Sequence, residues 1–160
     1  MHKLLGIMLG LLLISEPVLA NDNARLVGTW RLASCDLEFQ NGSPSQPYLG
    51  KKWIGYTVFA PDGRTISVWE AEGREVAKND EERAALLRTV HAITGTYKYE
   101  GGTGVTTIDV ASNPAQRGEQ VRGYRLEGNR LQVTTPWAPN PNLSGSPVTR
   151  SSVRLERVAQ

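Results

Sequence analysis

The pattern that most limits the fold of this 160-residue chain is a series of short apolar–polar alternations separated by turn-forming residues. A period of two predicts strands that bury one face. The alternation recurs in eight segments, residues 27–39, 53–59, 64–70, 96–100, 105–111, 119–126, 130–135 and 149–158. Many short strands with frequent turns predict an all-β protein.

Three of the connections carry strong turn signals. Pro61-Asp62-Gly63 joins the second and third segments, a glycine-rich run at 101–104 joins the fourth and fifth, and Gly128-Asn129 joins the sixth and seventh. Proline presets φ and glycine accepts positive φ, so each connection predicts a hairpin. Eight antiparallel strands predict a sandwich or a closed barrel, and closure would remove the exposed strand edges. The interior of such a barrel is either filled by side chains or holds one small ligand.

One segment departs from the alternation. Residues 79–91 are rich in Glu, Ala, Leu and Arg, and Asn79 and Glu82 have the spacing of a capping box. Leu86, Val90 and Ile93 share one helical face. We therefore expect one short helix between strands three and four, lying with this apolar face across one end of the barrel.

Two long connections, residues 40–50 and 136–147, have no predicted secondary structure. Long loops often have functional roles, although a solvated connection is the alternative. The second loop contains Trp137, an indole that is costly to leave in water. We expect Trp137 to fold inward over the cavity, opposite the helix.

The first 20 residues resemble a secretory signal. His2 and Lys3 form a basic start, residues 4–14 are mostly apolar, and Val18 and Ala20 are the small residues that signal peptidase accepts. The apolar run is too short for a membrane-spanning helix. The sequence thus predicts a signal peptide at 1–20, a single domain at 21–160, and a secreted or periplasmic protein with no integral membrane segment after cleavage at Ala20.

Composition limits the possible chemistry. A formal charge of +2 gives no basic surface for nucleic acid. The single cysteine, Cys35, excludes an internal disulfide, and we favour a buried small apolar residue over a reactive thiol. His91 is the one histidine after residue 20, so we expect no metal site. No motif indicates catalytic residues, a cofactor or a protein partner.

Aromatic residues in or beside the strands are the best candidates for a binding site, because ligand pockets are mostly apolar and aromatic. The alternative is that they form an ordinary barrel core. The candidate ligand-binding residues are Tyr56, Trp69, Tyr97, Tyr124 and Trp137.

Six short stretches in order resemble one known family. They are LVGTWRL at 26–32, GY at 55–56 with PDGR at 61–64, GTY at 95–97, LEGNRL at 126–131 and LERV at 155–158. Together they resemble the bacterial and fungal lipocalin-like domain family, which often has Trp where this chain has Leu155. The resemblance implies a small antiparallel barrel related to lipocalins. Together with the eight alternating segments and the helical segment, we expect an eight-stranded antiparallel lipocalin-like barrel with one short helix between strands three and four. It also implies that Trp30 closes one barrel end beneath an arginine, Arg157 first and Arg154 second.

The family includes secreted proteins of no single function, and related lipocalin folds include carriers and some cyclases. We expect a protein that binds a small hydrophobic or amphipathic ligand in the barrel. A cofactor-free isomerase or cyclase that uses Tyr, Glu or Arg in the same cavity to act on a small hydrophobic substrate is the alternative. A filled barrel acting through its surface is the third possibility. A cavity approaching about 300 Å3 would separate the first two from the third, and a buried carboxylate of raised pKa would favour the enzyme.

Overall fold

The fold is described by a computed structural model, which covers residues 22–159. One antiparallel sheet contains every strand of these residues. The strands are β1 (Gly28–Phe39), β2 (Gln46–Pro47), β3 (Trp53–Phe59), β4 (Arg64–Ala71), β5 (Val90–Glu100), β6 (Thr103–Ala111), β7 (Gly118–Glu127), β8 (Arg130–Thr134), β9 (Ala138–Pro139) and β10 (Val148–Arg157). The helices are α1 (Asp22–Leu26) and α2 (Asp80–Arg88), with single-turn 3-10 helices at Tyr48–Gly50 and Pro114–Gln116.

The eight long strands close into a barrel. Neighbours follow the order β1-β3-β4-β5-β6-β7-β8-β10, and β10 pairs back onto β1 from Trp30 opposite Arg157 to Phe39 opposite Thr149. The two-residue strands β2 and β9 add short pairings beside β1 and β10. The predicted eight-stranded antiparallel barrel is therefore confirmed, and hairpins join β3 to β4, β5 to β6 and β7 to β8 as expected.

The two ends of the barrel differ in their connections. The three hairpins and α1 lie at one end, which we call the short-loop end. The other end, the long-loop end, holds the connections at 40–52, 72–89, 112–117 and 135–147. Antiparallel strands alternate in direction, so every second connection falls at the same end. A ligand that enters the barrel would have to pass the long-loop end, because the short-loop end is closed.

Trp30 closes the short-loop end. Its side chain is completely buried, and its indole N–H donates to the carbonyl of Leu26 at 2.8 Å. The Arg157 guanidinium lies 4.2 Å from the Trp30 ring centroid and donates to the carbonyls of Arg25 and Val27. The expected pairing of Trp30 with Arg157 is present, whereas the second candidate, Arg154, pairs with Asp36.

The predicted helix exists but is shorter than expected. Asn79 caps α2 by accepting from the backbone N–H of Glu82 at 2.9 Å, as the capping pattern predicted. However, α2 ends at Arg88 and none of its residues is buried. The expectation of an apolar helix face across the barrel end was wrong, because the residues after Arg88 form a strand.

Val90 and Ile93 belong to β5 instead of the helix. Ile93 packs with Ile108 and Ala111 inside the barrel. Thr89, Val90 and Ile93 are β-branched, and such side chains favour the extended backbone over a helix. Pairing of this stretch with β4 outweighs the helical spacing of its apolar residues.

The predicted signal peptide at 1–20 lies outside the described residues. Within residues 22–159, no helix is both long enough and apolar enough to cross a membrane.

Candidate functional site

A cavity of about 170 Å3 lies inside the barrel. It extends toward the long-loop end, where Tyr48 and Gln116 of the two 3-10 helices line it. Its volume is below the roughly 300 Å3 of drug-sized ligand sites. It is close to the roughly 150 Å3 of a cavity that accepts benzene. The cavity is therefore smaller than the roughly 300 Å3 expected of a binding pocket, and the space that the barrel encloses fits only a compact molecule.

Apolar side chains form the part of the wall nearest Trp30. Phe59 on β3 packs edge-on against Tyr97 and Tyr124, with ring centroids 4.9 and 6.5 Å away. Val133, Val153 and Leu155 complete this side of the wall from β8 and β10. Inward positions alternate along each strand, which is why residues two apart share the wall.

A stacked pair of rings lies in the wall where β3, β4 and β5 meet, and one of the two rings is also hydrogen-bonded to β3. The Trp69 indole stacks on the His91 imidazole with centroids 4.6 Å apart. The Trp69 indole N–H donates to Thr57 Oγ1 at 3.2 Å, and Thr57 Oγ1 lies 2.9 Å from Ser67 Oγ. Gly55 makes this packing possible, because a Cβ there would lie 2.9 Å from the Trp69 ring.

His91 is held in its neutral form. Burial lowers its pKa to about 4, and the nearby Arg122 charge acts in the same direction. Gln116 Nε2 lies 3.4 Å from His91 Nδ1. His91 Nε2 is buried and has no hydrogen-bond partner among the described residues. The imidazole is consequently a neutral polar group with one unused nitrogen at pH 7.

Arg122 projects from β7 into the same cavity. It forms no hydrogen bond or ion pair with any residue of the described chain, and its Nε is buried without a partner. Burial lowers the pKa of Arg122 from its ordinary value, yet a guanidinium remains protonated at neutral pH. The cavity therefore contains a positive charge that the protein leaves unpaired.

The other ionisable groups on the wall are neutral. Burial, assisted by Asp36, raises the pKa of Cys35 to about 12. Burial also raises the pKa of Tyr124, while its hydrogen bond to Thr106 and the charge of Arg122 oppose that rise. Cys35 is thus a protonated, half-buried thiol in the wall. It is less buried than expected, but it is not the thiolate form that reacts.

Comparison with known families assigns the domain. Residues 27–158 match the family model described as a lipocalin-like domain. The chain belongs to the lipocalin-like domain family. The matched residues begin just before β1 and end just after β10, so the family's domain is the whole barrel of this protein. No curated protein matches the chain.

The lipocalin-like barrel brings two of the five predicted aromatic residues to the cavity. Trp69 and Tyr124 line the wall. Tyr97 is buried outside the cavity lining, and its hydroxyl donates to the carbonyl of Ala60 at 3.0 Å. Because this hydroxyl already has a partner, Tyr97 needs no ligand to satisfy it.

Tyr56 and Trp137 lie on the outer surface of the lipocalin-like barrel. Tyr56 is 53% exposed, since its neighbour Thr57 takes the inward position of β3. The Trp137 ring packs against Arg150, whose guanidinium lies 4.4 Å from the ring centroid. Arg150 in turn donates to Glu38 at 2.7 Å. The expectation that Trp137 folds inward over the cavity was wrong, because this outer arginine covers its ring.

Three polar residues of the lipocalin-like cavity were not predicted. Arg122 lies two positions before Tyr124, and strand parity alone would have placed both side chains on one face. His91 was assigned to the end of a helix, which concealed its position opposite Trp69 in β5. Gln116 lies in a connection that has no periodic signal. Among residues 22–159, no group of three His, Cys, Asp or Glu side chains could hold a metal ion.

Proposed function

We propose that this lipocalin-like protein binds one compact amphipathic molecule inside its barrel. The cavity of about 170 Å3 carries this proposal, because it combines an apolar, aromatic wall with polar atoms that the protein leaves unpaired. Buried polar groups normally have partners, so those of Arg122, His91 and Gln116 favour a bound molecule. A ligand-binding role also agrees with a lipocalin-like domain.

The volume limits the ligand to a single small ring or a short chain. A cavity of about 150 Å3 accepts benzene, whereas a long-chain fatty acid or a large hydrophobic dye would need a larger space. We therefore expect a molecule with one apolar ring or a few carbons and one polar end. Its apolar part would pack against Phe59 and Tyr124, with its polar end toward Arg122.

Binding is preferred over the isomerase or cyclase alternative. General acid–base catalysis by a carboxylate requires an Asp or Glu in contact with the substrate. The described residues that line the cavity include no Asp or Glu. The observation that would favour the enzyme is therefore missing from this site.

We propose further that the protein acts outside the cytoplasm, as a secreted or periplasmic protein. The support is the basic start, apolar run and small residues of positions 1–20. The chain has one cysteine and therefore forms no internal disulfide, and ligand binding outside the cytoplasm does not require one.

Filling the cavity tests the binding proposal. Val133 lines the cavity and Val121 is 48% exposed, so Val133→Phe and Val121→Phe form a matched pair. Benzamide, a compact ring with a neutral polar group, is titrated by calorimetry into each protein. We expect equal dissociation constants for wild type and Val121→Phe, and binding at least about tenfold weaker for Val133→Phe.

Equal binding by a folded Val133→Phe variant would contradict the proposal, as would no binding by the wild type. Near-ultraviolet circular dichroism checks that the variant keeps its packing, because overfilling a core costs about 1–3 kcal/mol. If Val133→Phe does not fold, Val153→Phe fills the same cavity from β10 and replaces it.

A further inference from the structure

Arg122 is the one charged side chain among the described residues that line the cavity. His91, Cys35 and Tyr124 are neutral at pH 7 for the reasons given above, and burial also raises the pKa of Tyr48. The side chains that line the cavity therefore have a formal charge of +1, and no carboxylate of residues 22–159 pairs with it. The Arg122 side chain is partly buried, with its Nε fully buried, and a charge withdrawn from water without a partner is costly.

The arrangement around Arg122 differs from that of a structural arginine. Arg157, at the short-loop end, donates to two backbone carbonyls and covers Trp30. Arg150, on the outer face, pairs with Glu38. Arg122 has neither kind of contact, so its donors are available to a molecule in the cavity.

We infer that the ligand of this barrel is a small organic anion whose carboxylate pairs with Arg122. This inference rests on the proposed function and adds the charge of the ligand to it. A guanidinium presents parallel N–H donors that match the two oxygens of a carboxylate. The aromatic wall of Phe59, Trp69 and Tyr124 would enclose the apolar part of the same molecule.

The charge count favours a monoanion. One guanidinium neutralises one negative charge, and no second cationic side chain of the described residues lines the cavity to stabilise a dianion such as phosphate. A cationic ligand would be repelled by the positive charge of Arg122. A neutral ligand would leave the charge of Arg122 unpaired. A compact aromatic or short aliphatic monocarboxylate satisfies both the charge and the volume.

Benzoate and benzamide form the matched pair of probes, because they have nearly the same shape and differ in charge. Each is titrated at pH 7 into wild type, Arg122→Gln, Arg122→Lys and Arg125→Gln. Arg125 is the control, since it lies on the same strand but is exposed and paired with Glu127. Inorganic phosphate is added alone and in competition with benzoate, to test whether any anion binds in the cavity.

The wild type and Arg125→Gln should bind benzoate at least about tenfold tighter than benzamide, because hydrogen bonds to a charged group are stronger than neutral ones. Arg122→Gln should lose this preference while its affinity for benzamide changes less than about twofold. Arg122→Lys should keep a preference for the anion that is smaller than that of the wild type. Phosphate should not displace benzoate.

The outcomes separate the two proposals. Equal affinity of the wild type for benzoate and benzamide would overturn the anion inference and leave the binding proposal intact. A preference for benzoate that survives in Arg122→Gln would overturn the role of Arg122, and displacement by phosphate would overturn the assignment of a carboxylate. No binding of either probe to the wild type would overturn the binding proposal together with this inference.

Stability without ligand supplies a second readout. The ligand-free Arg122→Gln variant should unfold at a higher temperature than the wild type, because the substitution removes an unpaired buried charge. Benzoate should raise the unfolding temperature of the wild type but not that of the variant. A ligand-free variant that unfolds at a lower temperature would show that Arg122 stabilises the fold, and would contradict its assignment as a ligand anchor.

Discussion

The indole ring of Trp69 and the imidazole ring of His91 face each other across paired positions of β4 and β5, with their planes inclined by 28°. This stack removes most of the imidazole from water, and Arg122 lies close enough to oppose a second positive charge. The histidine is thereby kept neutral in the folded protein at a pH where an exposed histidine would begin to bind a proton.

Acid should destabilise the protein through His91. Its pKa falls from 6.5 to about 4 on folding, so the unfolded chain binds more protons between these two values. The free energy of unfolding should decrease as pH falls through this window, by up to about 1.4 kcal/mol per pH unit from this residue alone. Carboxylates also titrate there, so urea unfolding of His91→Gln across the same window is the control. If the free energy of unfolding depended on pH equally in the wild type and in His91→Gln, the lowered pKa of His91 would be contradicted.

Loss of the Trp30 side chain should strongly destabilise the barrel. Trp30 is completely buried at the short-loop end, and Trp30→Ala should lower the free energy of unfolding by about 3–5 kcal/mol. Trp137 is 38% exposed on the outer surface, so Trp137→Ala is a matched substitution that should cost far less. Denaturant titration measures the free energy of unfolding of both variants. A similar loss in the two variants would contradict the buried position of Trp30.

The end of α2 at Arg88 leads to a separate prediction about the stability of variants on either side of it. Ile93 is buried in β5, so Ile93→Ala should cost about 2–5 kcal/mol. Leu87 is 62% exposed on α2, so Leu87→Ala should change stability by less than about 0.5 kcal/mol. A large cost for Leu87→Ala would instead support a helix with a buried apolar face.

Export predicts a defined mature terminus. If the segment at 1–20 is a signal peptide, intact-mass measurement of the protein from its native compartment should place the first residue at Asn21. Protein recovered from the cytoplasm with Met1 still present would contradict the proposed localisation.

The barrel could be predicted from the sequence because its determinants are local. Turn residues such as those at 61–63 and 128–129 set the hairpins, and alternation between them sets which face of each strand is buried. The pairing of Trp30 with Arg157 is a contact between the two ends of the chain. It came from the resemblance to a family, since no spacing rule connects residues so far apart.

Most of the candidate site could not be predicted in this way. Helical spacing of Leu86, Val90 and Ile93 suggested a longer helix, because a short apolar pattern cannot show that β-strand pairing will override it. The outward position of Trp137 depends on Arg150, a residue of another strand. Arginine is usually a surface residue. Strand parity puts Arg122 on the same face as Tyr124, but only the closed barrel shows that this face lines a cavity.

The most direct test of a ligand inside the barrel is the response of the four tryptophan indole N–H signals to benzamide and benzoate in a proton–nitrogen correlation spectrum of isotope-labelled protein. Trp53 and Trp69 line the cavity, whereas Trp30 lies at the closed end and Trp137 on the outer surface. Binding inside the barrel predicts that the Trp53 and Trp69 signals shift on titration while those of Trp30 and Trp137 stay nearly unchanged. Shifts confined to Trp137, or no shift of Trp53 and Trp69 at saturating probe, would contradict binding inside the barrel.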